Sequence, residues 1–269
     1  MPEGDTIWRA ARTLQRVLGG QRLIAARSEI PAVDRAALAG HTVARVESRG
    51  KNLLIHLDDG RVLHTHMRMS GSWHVYRPGE RWQRPQRQAK VVLETDRFVA
   101  VCFNAPVVEL LSAGELRRHP ALSRLGPDVL SPDFDPARTR LKIRARSELA
   151  IGEALIAQSA LAGVGNIYKS ETLFLCGMDP FRLVRDLSDR DIDRLVAKAR
   201  TLMSANLGTA PRATRPSLSR ERTWVYGRRG RPCRRCTATI QMGRQGTQAR
   251  STYWCPTCQP KPDERPARP

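Results

Sequence analysis

The stretch TVARVESRGKNLLIHLDDGRVLHTHM, residues 42–67, reverses direction twice within short runs of β-forming residues. Asp59-Gly60 is a strong hairpin signal, because a tight connection between strands needs backbone geometry that Gly tolerates. Arg49-Gly50-Lys51 marks a second turn, between the runs Thr42–Ser48 and Asn52–Leu57, and Arg61–Met67 follows the Asp-Gly turn. Lys51 at that turn reads either as a solvated surface lysine or as a cation aimed into a groove. Downstream, Ser72–Tyr76, Lys90–Glu94 and Phe98–Phe103 continue the pattern, with Thr95-Asp96-Arg97 as a weaker turn and Pro78–Gln88 as a mobile loop. Several short antiparallel strands of this size imply a β-sandwich or barrel.

Working outward, the pattern on both sides is helical. Before the strands, Ile7, Ala11, Leu14 and Leu18 lie on one helical face, with Asp5-Thr6 as a cap and Gly19-Gly20 as a stop. After them, residues 112–136 are punctuated by His119-Pro120, Gly126-Pro127, Ser131-Pro132 and Asp135-Pro136, which predicts a domain boundary. Helices are then expected over Ala137–Ala145, Ser147–Gln158 (capped by Ser147), Ile167–Leu175 and Ser188–Leu207. The turn before Ile167, SALAGVGN at 159–166, would present backbone N–H groups and the Asn166 amide to an anion at a helix N-terminus. The fold class is α+β: an N-terminal antiparallel β-sandwich with a leading helix, then a helical domain and a C-terminal hairpin. The expected divisions are 1–118, a linker at 119–136, 137–222, 223–259, and a disordered tail at 260–269.

That hairpin carries the most specific chemistry. Cys233-x-x-Cys236 and Cys255-x-x-Cys258, eighteen residues apart, match a structural four-cysteine zinc site. Thr239–Met242 and Ser251–Trp254 can pair, with a tip at Gly243–Arg250 carrying Arg244 and Arg250. Arg220 to Cys258 holds nine Arg against one acid, Glu221. Cys102 and Cys176 are left over and expected in cores.

The whole chain has 269 residues with Lys+Arg 46 against Asp+Glu 26, a net charge of +20, which points to a polyanion and first to nucleic acid. No apolar run is long enough to span a bilayer, so the chain reads as cytoplasmic, with no membrane partner. In His66-Met67-Arg68-Met69-Ser70-Gly71, an exposed Arg68 and Met69 would suit a wedge between bases. Buried methionines there would be core filling. Finally, Pro2 becomes a terminal secondary amine once Met1 is removed. An α-amino group with a pKa of about 7.7–8.0 is partly neutral near pH 7 and nucleophilic. Glu3 beside it can protonate or orient a reacting sugar.

These pieces in this order resemble the Fpg/Nei family of bifunctional DNA glycosylases: PEG at 2–4, RGK at 49–51, HMRMSG at 66–71, LGPD at 125–128, GVGNIYKSE at 163–171, WVYGRRGRPC at 224–233 and STYWCPTCQ at 251–259. The start PEGDTI is similar to the endonuclease VIII branch, as found in actinobacteria, which acts on oxidised pyrimidines. Met69-Ser70-Gly71 instead resembles the formamidopyrimidine branch. The resemblance implies that Pro2 attacks C1′, that Glu3 protonates the sugar ring oxygen, and that β,δ-elimination cuts the strand. It implies that Lys51 contacts a phosphate beside the lesion, and that Asn166, in a helix–two-turn–helix domain, and Arg250, in a zinc finger, clamp flanking phosphates. Arg68 and Met69 would fill the void, and Cys233, Cys236, Cys255 and Cys258 would hold one structural Zn2+. The expected partner is damaged DNA, duplex or single-stranded, met by a monomer at the bacterial nucleoid. A silent zinc-dependent binder of damaged DNA and an RNA-binding zinc ribbon are the competing readings, and neither needs Pro2, Glu3 and Lys51 together.

Overall fold

The structure, a computed structural model, describes residues 2–34, 36–216 and 221–261, so the expected tail from 262 onward lies outside the described residues. The chain divides into two compact units, Met1–Arg124 and Leu125–Pro269.

The first unit runs α1 (Gly4–Leu18), β1 (Ala25–Ser28), α2 (Pro31–Asp34), β2 (Val43–Arg49), β3 (Asn52–Leu57), β4 (Val62–His66), β5 (Ser72–Tyr76), β6 (Ala89–Glu94), β7 (Val99–Phe103), β8 (Val107–Leu111), α3 (Ala113–Arg118) and α4 (Pro120–Ser123). Two antiparallel four-stranded sheets form, in the orders β1-β6-β7-β5 and β2-β3-β4-β8. Leu53, Ile55 and Leu63 of one sheet share a core with Val91, Leu93 and Ala100 of the other. Ile7, Leu14 and Leu18 of α1 join that core, burying the apolar stripe legible in the sequence. Cys102 is buried there, and burial pushes its thiol well above the usual range.

Three expectations need correction. The helix begins at Gly4 with Glu3 as its N-cap, ahead of the Asp5-Thr6 cap the sequence suggests. Pro78–Gln88 is anchored: Trp82 lies 6.1 Å from the Tyr76 ring and 5.8 Å from Phe103, and Gln83 N donates to the Tyr76 hydroxyl. The Pro-rich connector contains helix, since Ser112 and Glu115 form a reciprocal capping box that opens α3.

The second unit continues with α5 (Pro136–Arg144), α6 (Ile151–Ile156), α7 (Asn166–Leu175), α8 (Asp189–Ser204), β9 (Gln241–Gln245) and β10 (Arg250–Trp254). Ile143, Leu155, Leu161, Leu173, Leu195 and Met203 build its core, with Cys176 only half-buried at the edge. The helix expected from Ser147 starts only at Ile151. Ala150 instead forms an isolated bridge with Leu183, and Ile151 N donates to Arg182 O. Tertiary pairing has overridden the local cap. At the far end β9 and β10 pair with Gln245 opposite Arg250, so the tip is residues 246–249, shorter than expected. Gly246 and Ala249 both sit at positive φ there, +68° and +47°.

Candidate active site and phosphate-gripping elements

The N-terminus is held by the helix it opens. Glu3 caps α1 through its backbone oxygen, which accepts from Thr6 N at 2.9 Å and Ile7 N at 3.2 Å. Its carboxyl is fully buried, while Pro2 before it is half-buried. Asp5, also fully buried, lies 3.9 Å from Arg9. A carboxyl placed in the interior at a chain end is costly unless it is used or well paired.

Lys51 occupies the second position of a two-residue β-turn whose first residue, Gly50, has φ +59°, the geometry that type II′ hairpins give to Gly. Asn52, the next residue, faces His66 across the β3–β4 ladder. His66 is a candidate site residue that the sequence reading did not single out, because only the cations gathered around it by the fold mark it. Burial, together with His64, Lys51 and Arg68, pulls its imidazole down to about 4, so it is neutral at physiological pH. In the unfolded chain His66 takes up a proton near the ordinary histidine pKa of about 6.5, and in the folded protein only near 4. Stability therefore falls as pH drops from about 6.5 toward 4, and equilibrium unfolding of His66→Gln should show a shallower loss over that window.

The HMRMSG loop separates its two methionines. Met67 is in the core, Met69 is 68% exposed, and Arg68 stands exposed at φ +45°. Gly71 closes the loop. Its N–H donates to Met67 O, and a Cβ there would meet the Met67 backbone at 2.7 Å.

In the second unit, Asn166 is the first residue of α7, preceded by a turn that Gln158 staples. Gln158 donates to Ile156 O and Val164 O and accepts from Gly163 N, whose φ is +98°. The Asn166 Oδ1 is buried without a hydrogen-bond partner, a cost that a ligand at this helix N-terminus would remove.

The four expected thiols meet. Sγ atoms of Cys236 and Cys255 are 3.4 Å apart, Cys236 and Cys258 3.5 Å, and Cys233 and Cys258 3.8 Å. Tetrahedral zinc with bonds of about 2.3 Å needs sulfurs about 3.8 Å apart, so the donor set fits. Arg235 N and Cys258 N point at the Cys233 and Cys255 sulfurs, contacts that favour thiolates. Burial and the neighbouring thiols push Cys255 up to about 11. Burial also opposes ionisation of Cys236, yet the Ala238 backbone N–H and adjacent thiols bring it down to about 7. A bare cluster thus resists carrying four negative charges, and a divalent cation would relieve it.

Arg250 is exposed at the start of β10, its guanidinium on Gln248 Oε1. Two buried charges that the sequence reading passed over lock this strand and its approach loop to α7. Lys169 Nζ donates to Thr252 Oγ1 at 2.6 Å and Ser251 O at 3.2 Å. Glu171 accepts from Val225 N and Tyr226 N through Oε1, and from Trp224 N through Oε2. Asn166 and Arg250 therefore belong to one braced assembly. Lys169 and Glu171 carry no local signal of this role, because their partners lie 83 and 53 residues away.

Among the described residues, no helix is long and apolar enough to cross a membrane. Residues 1–106 match the formamidopyrimidine-DNA glycosylase N-terminal domain, and residues 125–215 match the formamidopyrimidine-DNA glycosylase H2TH domain. The chain is 43% identical to a probable endonuclease 8 2 of Streptomyces coelicolor, covering 99% of this chain and 96% of that one. It is 36% identical to the DNA-(apurinic or apyrimidinic site) lyase Nei2 of Mycolicibacterium smegmatis, over 96% of this chain and 99% of that one. A crystal structure of Lactococcus lactis formamidopyrimidine DNA glycosylase with abasic-site DNA shares the fold, with TM-score 0.79 and 24% identity over 96% of this chain and 100% of that one.

Proposed function

Because the chain belongs to the Fpg/Nei family of DNA glycosylase/AP lyases, we propose that Pro2, freed by removal of Met1, is the nucleophile that excises an oxidised pyrimidine from DNA. The observation that carries this reading is the pair Pro2-Glu3 at the rigid start of α1, with a fully buried carboxyl beside the amine. The positive end of the α1 dipole disfavours a protonated amine there, which helps to keep the lone pair available.

The Pro2 nitrogen bonds to C1′ as the glycosidic bond breaks, and the base leaves with its electron pair and takes up the proton that the amine releases. Glu3 gives a proton to the ring oxygen, the sugar opens, and a cationic iminium joins Pro2 to C1′. That cation acidifies the C2′ proton. Its loss expels the 3′ phosphate, and a second elimination expels the 5′ phosphate. Lys51, with neutral His66 beside it, grips the phosphate next to the lesion as a point charge. Asn166 and Arg250 hold flanking phosphates, and Met69 with Arg68 enters the gap left by the extruded nucleotide, whose unstacking costs a few kcal/mol. Cys233, Cys236, Cys255 and Cys258 would hold one Zn2+, which supplies a tetrahedral crosslink and no open coordination position. The enzyme works as a monomer in the bacterial cytoplasm.

Arg250→Ala should weaken binding to lesion duplex and lower the slope of log affinity against log salt by about one. An unchanged slope in fluorescence anisotropy titrations would move that phosphate contact elsewhere. The test of the reaction itself is trapping. Protein lacking Met1 is incubated with duplex carrying an oxidised pyrimidine and borohydride, and peptide mapping then locates the reduced adduct. An adduct on Pro2 is expected. Its absence on oxidised bases and on an abasic site, with binding intact, would favour the silent DNA binder.

A further inference from the structure

The face of the β2-β3-β4-β8 sheet opposite the sandwich core carries a polar chain that the excision chemistry does not use. Asn52 Nδ2 donates to Arg49 O at 3.0 Å, closing across the Gly50-Lys51 turn. Asn52 Oδ1 faces His64 Nε2 at 3.0 Å. His64 Nδ1 lies 2.9 Å from Glu109 Oε2, and that same oxygen is 3.0 Å from His119 Nε2. His119 is fixed in turn by α4, because its Nδ1 accepts from Leu122 N at 3.3 Å. Strand register explains the line: His64 is directly opposite Glu109, and Asn52 is opposite His66 on the same face. Leu53, Ile55, Leu63 and Val108 alternate to the other face and fill the core.

Hydrogen bonds link every member of the line, and the Leu122 N–H fixes the tautomer of His119. With Nδ2 committed to Arg49, Asn52 offers His64 its oxygen, which accepts when His64 Nε2 carries the ring hydrogen. His119 accepts at Nδ1, so its Nε2–H donates to Glu109. A neutral His64 has one ring hydrogen for its two neighbours, Asn52 Oδ1 at 3.0 Å and Glu109 Oε2 at 2.9 Å, and either contact keeps the ring in the line. Burial outweighs the pull of Glu109 and holds the His64 imidazole below its ordinary value, so the neutral ring is favoured. A metal held by His64, Glu109 and His119 would cost His119 its bond to α4, which tells against a second metal centre.

A lysine on a two-residue turn has a flexible stem, and its aim depends on the backbone beneath it. Misplacement of a charged group by about 1 Å can cost about a hundredfold in rate. We propose that Asn52, His64, Glu109 and His119 are positioning residues that brace the Gly50-Lys51 turn, from α4 across three strands, and so hold Lys51 against the phosphate beside the lesion. The inference rests on the role proposed for Lys51 in gripping that phosphate.

A double-mutant cycle tests it, read as single-turnover strand cleavage of duplex with one abasic site at saturating enzyme. Glu109 is part-exposed, so Glu109→Ala should fold with a melting temperature near the parent's. Its cleavage should slow about tenfold, as for loss of one charge-assisted hydrogen bond. Lys51→Ala should slow cleavage at least as much, and Glu109→Ala should then add nothing in the Lys51→Ala background. His64→Ala provides the same comparison if Glu109→Ala does not fold. Additive losses, or a Glu109→Ala enzyme at the parent rate, would overturn the brace and leave the Lys51 reading standing. A Lys51→Ala enzyme at the parent rate would overturn that reading, and the brace with it.

Discussion

Glu3→Gln should lower base excision by about 10²–10⁴-fold, the range for a positioned general acid, while binding to lesion duplex stays within a few-fold. The substitution keeps the shape of a fully buried side chain and removes its acidity. Helix α1 should survive it, because Glu3 caps through its backbone oxygen and its side chain makes no cap bond. Ile7, Leu14 and Leu18 still anchor the helix to the core. Comparing excision rate and anisotropy-derived affinity on the same duplex separates chemistry from binding. Equal losses in the two would sink the catalytic assignment of Glu3.

Metal removal should have the second large effect. The small core around the thiols consists of Phe174, Val225, Cys233, Ile240 and Cys255, with Cys236 and Cys258 packed against it half-buried. Two of the five buried members are themselves candidate ligands, so little apolar burial would remain without a metal. Structural zinc contributes about 10–16 kcal/mol of binding free energy in isolated fingers, which here would be folding energy for the hairpin. Chelation should therefore cost at least about tenfold in DNA affinity, through loss of the Arg250 strand, and stoichiometric zinc should restore it. The Met1–Arg124 sandwich has its own core and should keep its thermal transition. DNA affinity unchanged by complete chelation would show that the finger folds without metal.

Local signals made much of this legible. Asp59-Gly60 and Gly50 fixed two hairpins because a tight turn tolerates few residue types, and β3 and β5 start and stop where the pattern puts them. The two Cys-x-x-Cys pairs meet because their spacing leaves few other geometries. What was hidden depends on distant partners. β1 and β8 are short edge strands whose identity comes from pairing with β6 and β4, beyond any local window. Ala150 is drawn out of a helix by Leu183, thirty-three residues downstream. Lys169 and Glu171 were passed over because their partners, Thr252 and the 224–226 loop, lie far along the chain. The Asn52–His64–Glu109–His119 line is invisible in sequence because it runs across strands.

The loop that carries Met69 is bounded by two ends that cannot move. Met67 is committed to the sandwich core, and Gly71 lies too close to the Met67 backbone to accept a side chain. Between them, residues 68–70 are exposed and owe almost nothing to the fold. They form an exchangeable cassette: substitutions at these three residues leave the core of the domain beneath them untouched. A chain can thus start like one branch of its family and carry a 68–70 loop like the other's, and if that loop fills the gap as proposed, lesion range can change separately from the scaffold.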